Sequence, residues 1–194
     1  MKYTLTLVAA LTVGFLSPIE AANNRYISKQ HIAHHKPDKT QSLSDNQQRV
    51  LHKAYNIGKA DGLKNPAILS GIIMQESKAG IQANFRTSKH KKACDQTVGL
   101  AQIKTGTAKG ILKQYPELKQ KMKSGNLTHE LAYNDDFNIS VASKYLKSLY
   151  EIRHDDDFAI ASFNQGPGGV SRKPWKLPYV RQVKKHIIIH HLEG

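Results

Sequence analysis

A run of apolar residues with clear start and stop signals for a helix constrains the fold of this chain more than any other feature. The run begins at Asn65 and Pro66, a typical N-cap followed by a residue suited to the first helical turn. It continues through Gln75 and ends at Glu76 and Ser77, where the sequence becomes polar and irregular. The pattern therefore predicts a helix with a carboxylate in its last turn.

A glutamate in this position is electrostatically unfavourable. The negative end of the helix dipole and the apolar Ile72 and Ile73, one turn back on the same face, both disfavour the charged form of Glu76. A carboxylic acid that keeps its proton near neutral pH suits cleavage of a glycosidic bond, because the leaving oxygen must receive a proton. Glu76 is therefore a candidate catalytic acid, although most glutamates at helix ends simply lie in water.

The rest of the chain is typical of a mainly α protein with one core. Ser44 and Gln47 form a capping box that opens the first helix. No alternating strand series occurs, and a long irregular loop is expected over 78–97, followed by a short extended piece over 98–103. Apolar residues at helical spacing predict further helices over 105–115, 127–150, 158–163 and 178–191.

The N-terminus has the features of a secretory signal peptide. Lys2 precedes an apolar stretch from Leu5 to Leu16, a helix-breaking Ser-Pro pair follows, and Ala21 offers a small residue before the cut. We expect a signal peptide over 1–21 and an exported protein of the periplasm or cell envelope, or a secreted one. An uncleaved anchor is the alternative, and no later stretch is long enough to span a bilayer.

Residues 22–43 are polar, with almost no large apolar side chains, and are predicted to be a flexible segment before a folded domain over 44–194. His31, His34 and His35 lack a carboxylate or cysteine partner at ligand spacing, so neither a metal site nor a cofactor is expected. Cys94 is the only cysteine and cannot form an internal disulfide.

The formal net charge of +14 favours an anionic partner, and it is unchanged by removal of the signal segment because Lys2 and Glu20 cancel. For an exported protein the candidates are cell-wall polymers and lipid headgroups. The lysines are spread along the chain and do not interleave with aromatic residues, so nucleic acid is not expected as a partner. A generally solvated basic surface is the alternative.

Several segments far apart in the sequence resemble the soluble lytic transglycosylase family, whose fold is related to goose-type lysozyme. Glu76-Ser77, Gly-Leu-Ala-Gln-Ile (99–103) and Ala-Ser-Phe-Asn-Gln-Gly-Pro-Gly-Gly-Val (161–170) resemble its motifs in order and content. Residues 135–146 look like its helix signature, and 178–180 resemble the start of its C-terminal helix. The resemblance covers about 46–183 and implies a single lysozyme-like domain, monomeric, that cleaves peptidoglycan glycan strands.

The resemblance implies that Glu76 is the sole catalytic acid and base, with Ser77, Gln102, Phe163 and Asn164 as substrate-binding residues. It implies cleavage between N-acetylmuramic acid and N-acetylglucosamine. The muramic acid's own 6-hydroxyl would then attack the anomeric carbon and form a 1,6-anhydro end. The amides of Gln102 and Asn164 suit this role because they both donate to and accept from sugar hydroxyl and acetamido groups.

Three features leave alternatives open. Ala101 and Phe163 stand where the family usually has methionine and tyrosine, which alters the cleft wall. Asp95, if directed into the cleft, would position a water and give hydrolysis with inversion, as in goose-type lysozymes; as a lone loop aspartate it is a turn former. The basic cluster at 89–92 either reaches anionic peptide stems or is solvated. A catalytically silent wall-binding protein and an association with envelope-spanning secretion or pilus machinery also remain open.

Overall fold

A computed structural model describes residues 42–83 and 95–192. The expected signal peptide, the histidines of the polar segment, Cys94 and the basic cluster at 89–92 lie outside the described residues. Within the described ranges the fold is mainly α, as predicted, with seven α-helices: α1 Asp45–Ala60, α2 Ala67–Ser77, α3 Thr105–Gln114, α4 Leu127–Tyr133, α5 Asp135–Arg153, α6 Asp156–Gln165 and α7 Pro178–Ile189.

Small elements connect the helices. Strand β1, Thr97–Val98, pairs antiparallel with β2, Ile103–Lys104, in a two-stranded hairpin at the expected extended piece. Three short 3-10 helices occupy Pro116–Lys121, Pro167–Gly169 and Pro174–Lys176.

Helix α2 lies in the core and packs against α1, α5 and α7. Leu69, Ile72 and Ile73 have no exposed surface. Gly71 allows α7 to approach closely, because a Cβ there would lie 2.9 Å from Cγ1 of Ile187. This close packing sets the position of the whole of α7 against the helix that carries Glu76.

The sequence prediction of a side-chain cap on α2 is wrong. Pro66 has helical dihedral angles and directly precedes the helix, and no side chain caps the first turn. Asn65 instead gives a hydrogen bond to Asp156, at the start of α6. By contrast, the capping box of Ser44 and Gln47 at the start of α1 is confirmed.

The predicted single helix over 127–150 is also wrong, because the chain breaks at Asn134. This residue is extended, and its side-chain oxygen accepts a hydrogen bond from the backbone NH of Phe137, which caps α5. Its amide nitrogen donates to Oε2 of Glu130 at 2.7 Å. That bond, with further hydrogen bonds from Lys123 and Ser124, lowers the pKa of Glu130 to about 2. An asparagine that bonds the local backbone competes with helix continuation, which explains the break.

The apolar run 187–189 at the end of α7 packs into the core only in part. Ile187 is buried, but Ile188 is 70% exposed. Successive residues on a helix point about 100° apart, so an unbroken isoleucine run cannot direct every member inward. None of the helices in the described ranges combines the length and the apolar character that crossing a membrane would require.

Candidate active site

A cleft of about 160 Å³ opens at the C-terminal end of α2. It brings together segments that are far apart in the sequence: the end of α2, the β1–β2 hairpin, the middle of α5 and the end of α6. Four of the residues predicted to form the site line it, namely Glu76, Gln102, Phe163 and Asn164. The cleft also includes Tyr145, to which the sequence assigned no role.

Glu76 is half-buried in the last turn of α2, and the helix ends at the next residue, Ser77, because Lys78 and Ala79 adopt left-handed conformations. The hydroxyl of Tyr179, on α7, donates a hydrogen bond to Oε1 of Glu76 at 2.6 Å. Burial, the negative charge of Glu76 and this hydrogen bond raise the pKa of Tyr179 well above its ordinary value. The phenol therefore stays protonated and acts as a donor that fixes the carboxyl group.

Tyr179 is a site residue that the sequence did not reveal. It belongs to the segment that resembles the start of the family's C-terminal helix, but it lies 103 positions from Glu76. Only the packing of α7 on α2 brings the two side chains together.

We expect Tyr179→Phe to lower the rate of glycan cleavage about 10- to 100-fold, because a hydrogen bond to a charged group contributes about 1.5–3 kcal/mol. The phenol also favours the ionised carboxylate. In the variant, Glu76 should hold its proton to higher pH, and the alkaline limb of the pH–rate profile should move upward. Release of soluble muropeptides, measured across pH, checks both effects.

The matched control is Tyr55→Phe, which removes a phenol hydroxyl from α1, away from the cleft. Its rate and pH profile should match those of the unmodified protein. Equal losses in the two variants, or an unshifted profile for Tyr179→Phe, would show that the Tyr179 hydroxyl does not act through Glu76.

Gln102 is held in the hairpin turn by its own amide group. Its Nε2 donates to the carbonyl of Gly99 at 2.7 Å, and its Oε1 accepts from Oγ1 of Thr97 at 3.1 Å. The backbone at Gln102 has φ 46°, an uncommon value for a residue other than glycine. Such local strain is often found at functional sites, where the surrounding structure imposes it.

The residue that holds the hairpin turn in place is Asn138, which is buried in α5. Its amide nitrogen donates to the carbonyls of Val98 and Leu131 at 3.0 and 2.8 Å. Its Oδ1 accepts from the backbone NH of Ala101 at 2.9 Å. One side chain thus fixes the hairpin turn to α5, and with it the position of Gln102 relative to Glu76.

The opposite wall of the cleft is aromatic and polar. The ring of Phe163 lies 5.2 Å from that of Tyr145, tilted by 45°. Burial raises the pKa of Tyr145, so its hydroxyl also remains protonated. Asn164 is exposed at the end of α6, where Gly166 takes a positive φ of 79° and ends the helix. Its amide is therefore presented to solvent at the cleft.

The structure does not bring Ser77 or Asp95 into the cleft. Ser77 is fully buried; its hydroxyl donates to the carbonyl of Ile73 and accepts from the NH of Gly80, both at 3.2 Å. It closes the end of α2 behind Glu76. Asp95 is exposed and is not among the described residues that line the cleft.

A larger cleft of about 1140 Å³ lies between α1 and the segment 121–136. It contains none of the predicted site residues. In the described ranges, no three histidine, cysteine or acidic side chains are grouped as a metal site would require. The candidate chemistry of the described residues therefore centres on the smaller cleft at Glu76.

Comparison with protein-family models matches residues 59–182 to the family described as "Transglycosylase SLT domain". The matched segment is well over half of the 194-residue chain and includes Glu76, the hairpin, Asn164 and Tyr179. Comparisons with curated proteins and with solved structures gave no significant match. On the family match, this chain belongs to the transglycosylase SLT domain family, which acts on peptidoglycan.

Proposed function

We propose that this protein is a lytic transglycosylase that cleaves the β-1,4 bond between N-acetylmuramic acid and N-acetylglucosamine and leaves 1,6-anhydro-muramic acid ends. The observation that supports this most directly is the half-buried Glu76 with Tyr179 hydrogen-bonded to it. Among the described residues that line the cleft, Glu76 is the only carboxylate. In the proposed mechanism this one group acts in both steps.

In the first step, protonated Glu76 gives its proton to the glycosidic oxygen as the bond to the anomeric carbon breaks. In the second step, the Glu76 carboxylate takes the proton of the 6-hydroxyl, whose oxygen forms a bond to the same anomeric carbon. No water is consumed, and Glu76 ends protonated as it began. The attack lies within one sugar, which makes it competitive with hydrolysis.

The cleft is too small to enclose a whole ligand of ordinary size. Its volume of about 160 Å³ is below the roughly 300–1,000 Å³ of ordinary ligand pockets. We propose that it holds the sugar at the scissile bond and leaves the rest of the strand outside. Phe163 provides an apolar wall, and the amides of Gln102 and Asn164 contact hydroxyl and acetamido groups, while Ser77 supports the helix end.

The proposal includes export, because the substrate lies outside the cytoplasm. The expected signal peptide over 1–21 would direct the chain there, and the polar segment over 22–43 would link it to the catalytic domain over 44–194. If the protein serves an envelope-spanning secretion or pilus assembly, the same cleavage reaction would open the wall locally for that assembly.

Digestion of purified peptidoglycan, followed by mass spectrometry of the released muropeptides, tests the reaction. We expect products lighter by one water than those of a hydrolase, with anhydro ends. Hydrated, reducing ends would identify a muramidase and contradict the proposed reaction. An unchanged wall would identify a catalytically silent wall-binding protein.

Asp95→Asn separates the two enzymatic mechanisms. Asp95 is exposed and outside the described lining of the cleft, so we expect its loss to change the rate of glycan release little and the product not at all. A large loss of rate would place a second carboxylate in the mechanism and support water activation by Asp95.

A further inference from the structure

Basic residues are concentrated on the outer side of α7 and on the turn that leads into it. Between Asp157 and Glu193 the sequence contains no acidic residue. The same stretch carries six basic residues, all of them exposed: Arg172, Lys173, Lys176, Arg181, Lys184 and Lys185. We call these residues, together with Trp175 and Ile188, the α7 cationic face.

Most of this charge is not neutralised by the residues that the structure describes. Lys184 is paired, with Nζ 2.5 Å from Oδ1 of Asp157. The other five basic residues form no ion pair with any residue that the structure describes, since no carboxylate oxygen there lies within 4.0 Å of them. Such a surface favours an anionic partner.

Two large exposed apolar side chains belong to the same stretch of sequence as these cations. Trp175 is 51% exposed and Ile188 is 70% exposed. On α7, Arg181, Lys184, Lys185 and Ile188 fall within an arc of about 100°, at the spacing of one helical face. A helix face that combines basic and exposed apolar side chains is typical of proteins that lie on a membrane surface.

The apolar residues decide between the two kinds of anionic partner that the charge would suit. An anionic wall polymer could pair with the lysines and arginines, but it has no hydrocarbon region in which the side chain of Ile188 could be buried. A phospholipid surface offers both, because tryptophan and aliphatic side chains settle at the boundary between headgroups and acyl chains. The observations therefore favour lipid.

The outer side of α7 points away from the side of the helix that contacts Glu76. Tyr179 lies about 160° around the helix from Arg181. Its side of α7, which includes the buried Val180, Val183 and Ile187, packs on α2 and carries the contact to Glu76. A partner bound to the outer side of α7 would therefore not cover the Tyr179 contact.

We propose that the α7 cationic face docks this protein onto an anionic phospholipid membrane. The basic side chains contact the headgroups, and Trp175 and Ile188 enter the boundary with the acyl chains. This docking is separate from glycan cleavage and does not depend on the proposed reaction. It would hold the enzyme at a membrane next to the wall.

Co-sedimentation with vesicles tests the docking. The full chain should bind vesicles of phosphatidylethanolamine and phosphatidylglycerol, bind neutral phosphatidylcholine vesicles far more weakly, and lose binding as salt is raised. Each basic residue near an anionic membrane contributes about 1 kcal/mol, or about fivefold in partitioning. Arg181→Gln combined with Lys185→Gln should therefore lower partitioning about 25-fold.

The matched control is Lys109→Gln combined with Lys113→Gln, which removes two exposed charges, also four residues apart, from α3. It lowers the net charge equally and should retain most of the binding. Every variant carries the same N-terminal segment, so differences between them report on the substituted surface. Cleavage of soluble glycan fragments should be unchanged in both double variants.

Trp175→Ala separates insertion from pure charge attraction. It should weaken binding by a factor that persists at high salt, because burial of apolar surface is not screened. Equal losses in the two double variants, absence of vesicle binding, or an unaffected Trp175→Ala variant would each overturn the proposal. The proposal would also be overturned if the Arg181→Gln, Lys185→Gln variant kept its binding to vesicles but lost its binding to isolated wall sacculi. That result would identify an anionic wall polymer as the partner.

Discussion

Glu76→Gln is expected to lower the rate of muropeptide release about 10³-fold or more while leaving the fold intact. General acid–base catalysis contributes about 10²–10⁴-fold, and here one carboxyl group serves both proton transfers. Glutamine has nearly the same shape, and its side-chain oxygen can still accept the hydrogen bond from Tyr179. It cannot give or take the proton that the reaction requires.

Two measurements separate loss of chemistry from loss of structure. The thermal unfolding midpoint and the binding of isolated sacculi should match those of the unmodified protein, because glutamine fills nearly the same space at the cleft and leaves the core unchanged. Glu151→Gln, an equal change at an exposed position of α5, should leave the rate unaltered. Full activity of Glu76→Gln would remove Glu76 from the mechanism.

Local patterns in the sequence predicted the elements of the fold well where one residue type decides the outcome. The capping box of Ser44 and Gln47, the stop before Pro116 and the position of Glu76 in the last turn of α2 are all confirmed. These features depend on residues within one or two turns of each other. The predictions failed at Asn65, which does not cap α2, and at Asn134, where a side chain that competes with the helix backbone lies inside an otherwise periodic segment.

Such local patterns could not predict the contacts between segments that are distant in the sequence. The hydrogen bond between Tyr179 and Glu76 exists because Gly71 lets α7 pack tightly on α2, and neither residue signals the other in sequence. The same holds for Asn138, whose three hydrogen bonds to the hairpin region and Leu131 join segments up to 40 positions apart. The resemblance to a family identified the candidate site residues, whereas Tyr179 and Asn138, which hold them in place, became evident only from the packing.

Gly99→Ala tests whether the hairpin is held as tightly as these contacts indicate. Gly99 has φ 76°, and an added Cβ would lie 2.0 Å from the carbonyl oxygen of Leu131 and 2.3 Å from Nδ2 of Asn138. Both atoms are fixed, since they hydrogen-bond each other. We expect a destabilisation of about 4 kcal/mol, from the left-handed backbone and the clash together, measured by urea unfolding.

Gly110→Ala is the matched control, because a Cβ at that position in α3 meets nothing within 4 Å. It should stabilise the protein by about 0.5–1 kcal/mol, as alanine favours a helix interior over glycine. Activity should fall in Gly99→Ala beyond the loss of folded protein, because relief of the clash moves the turn that carries Gln102 at the cleft. A Gly99→Ala variant with unchanged unfolding would mean that the hairpin yields easily, and that Asn138 does not fix the cleft wall opposite Phe163.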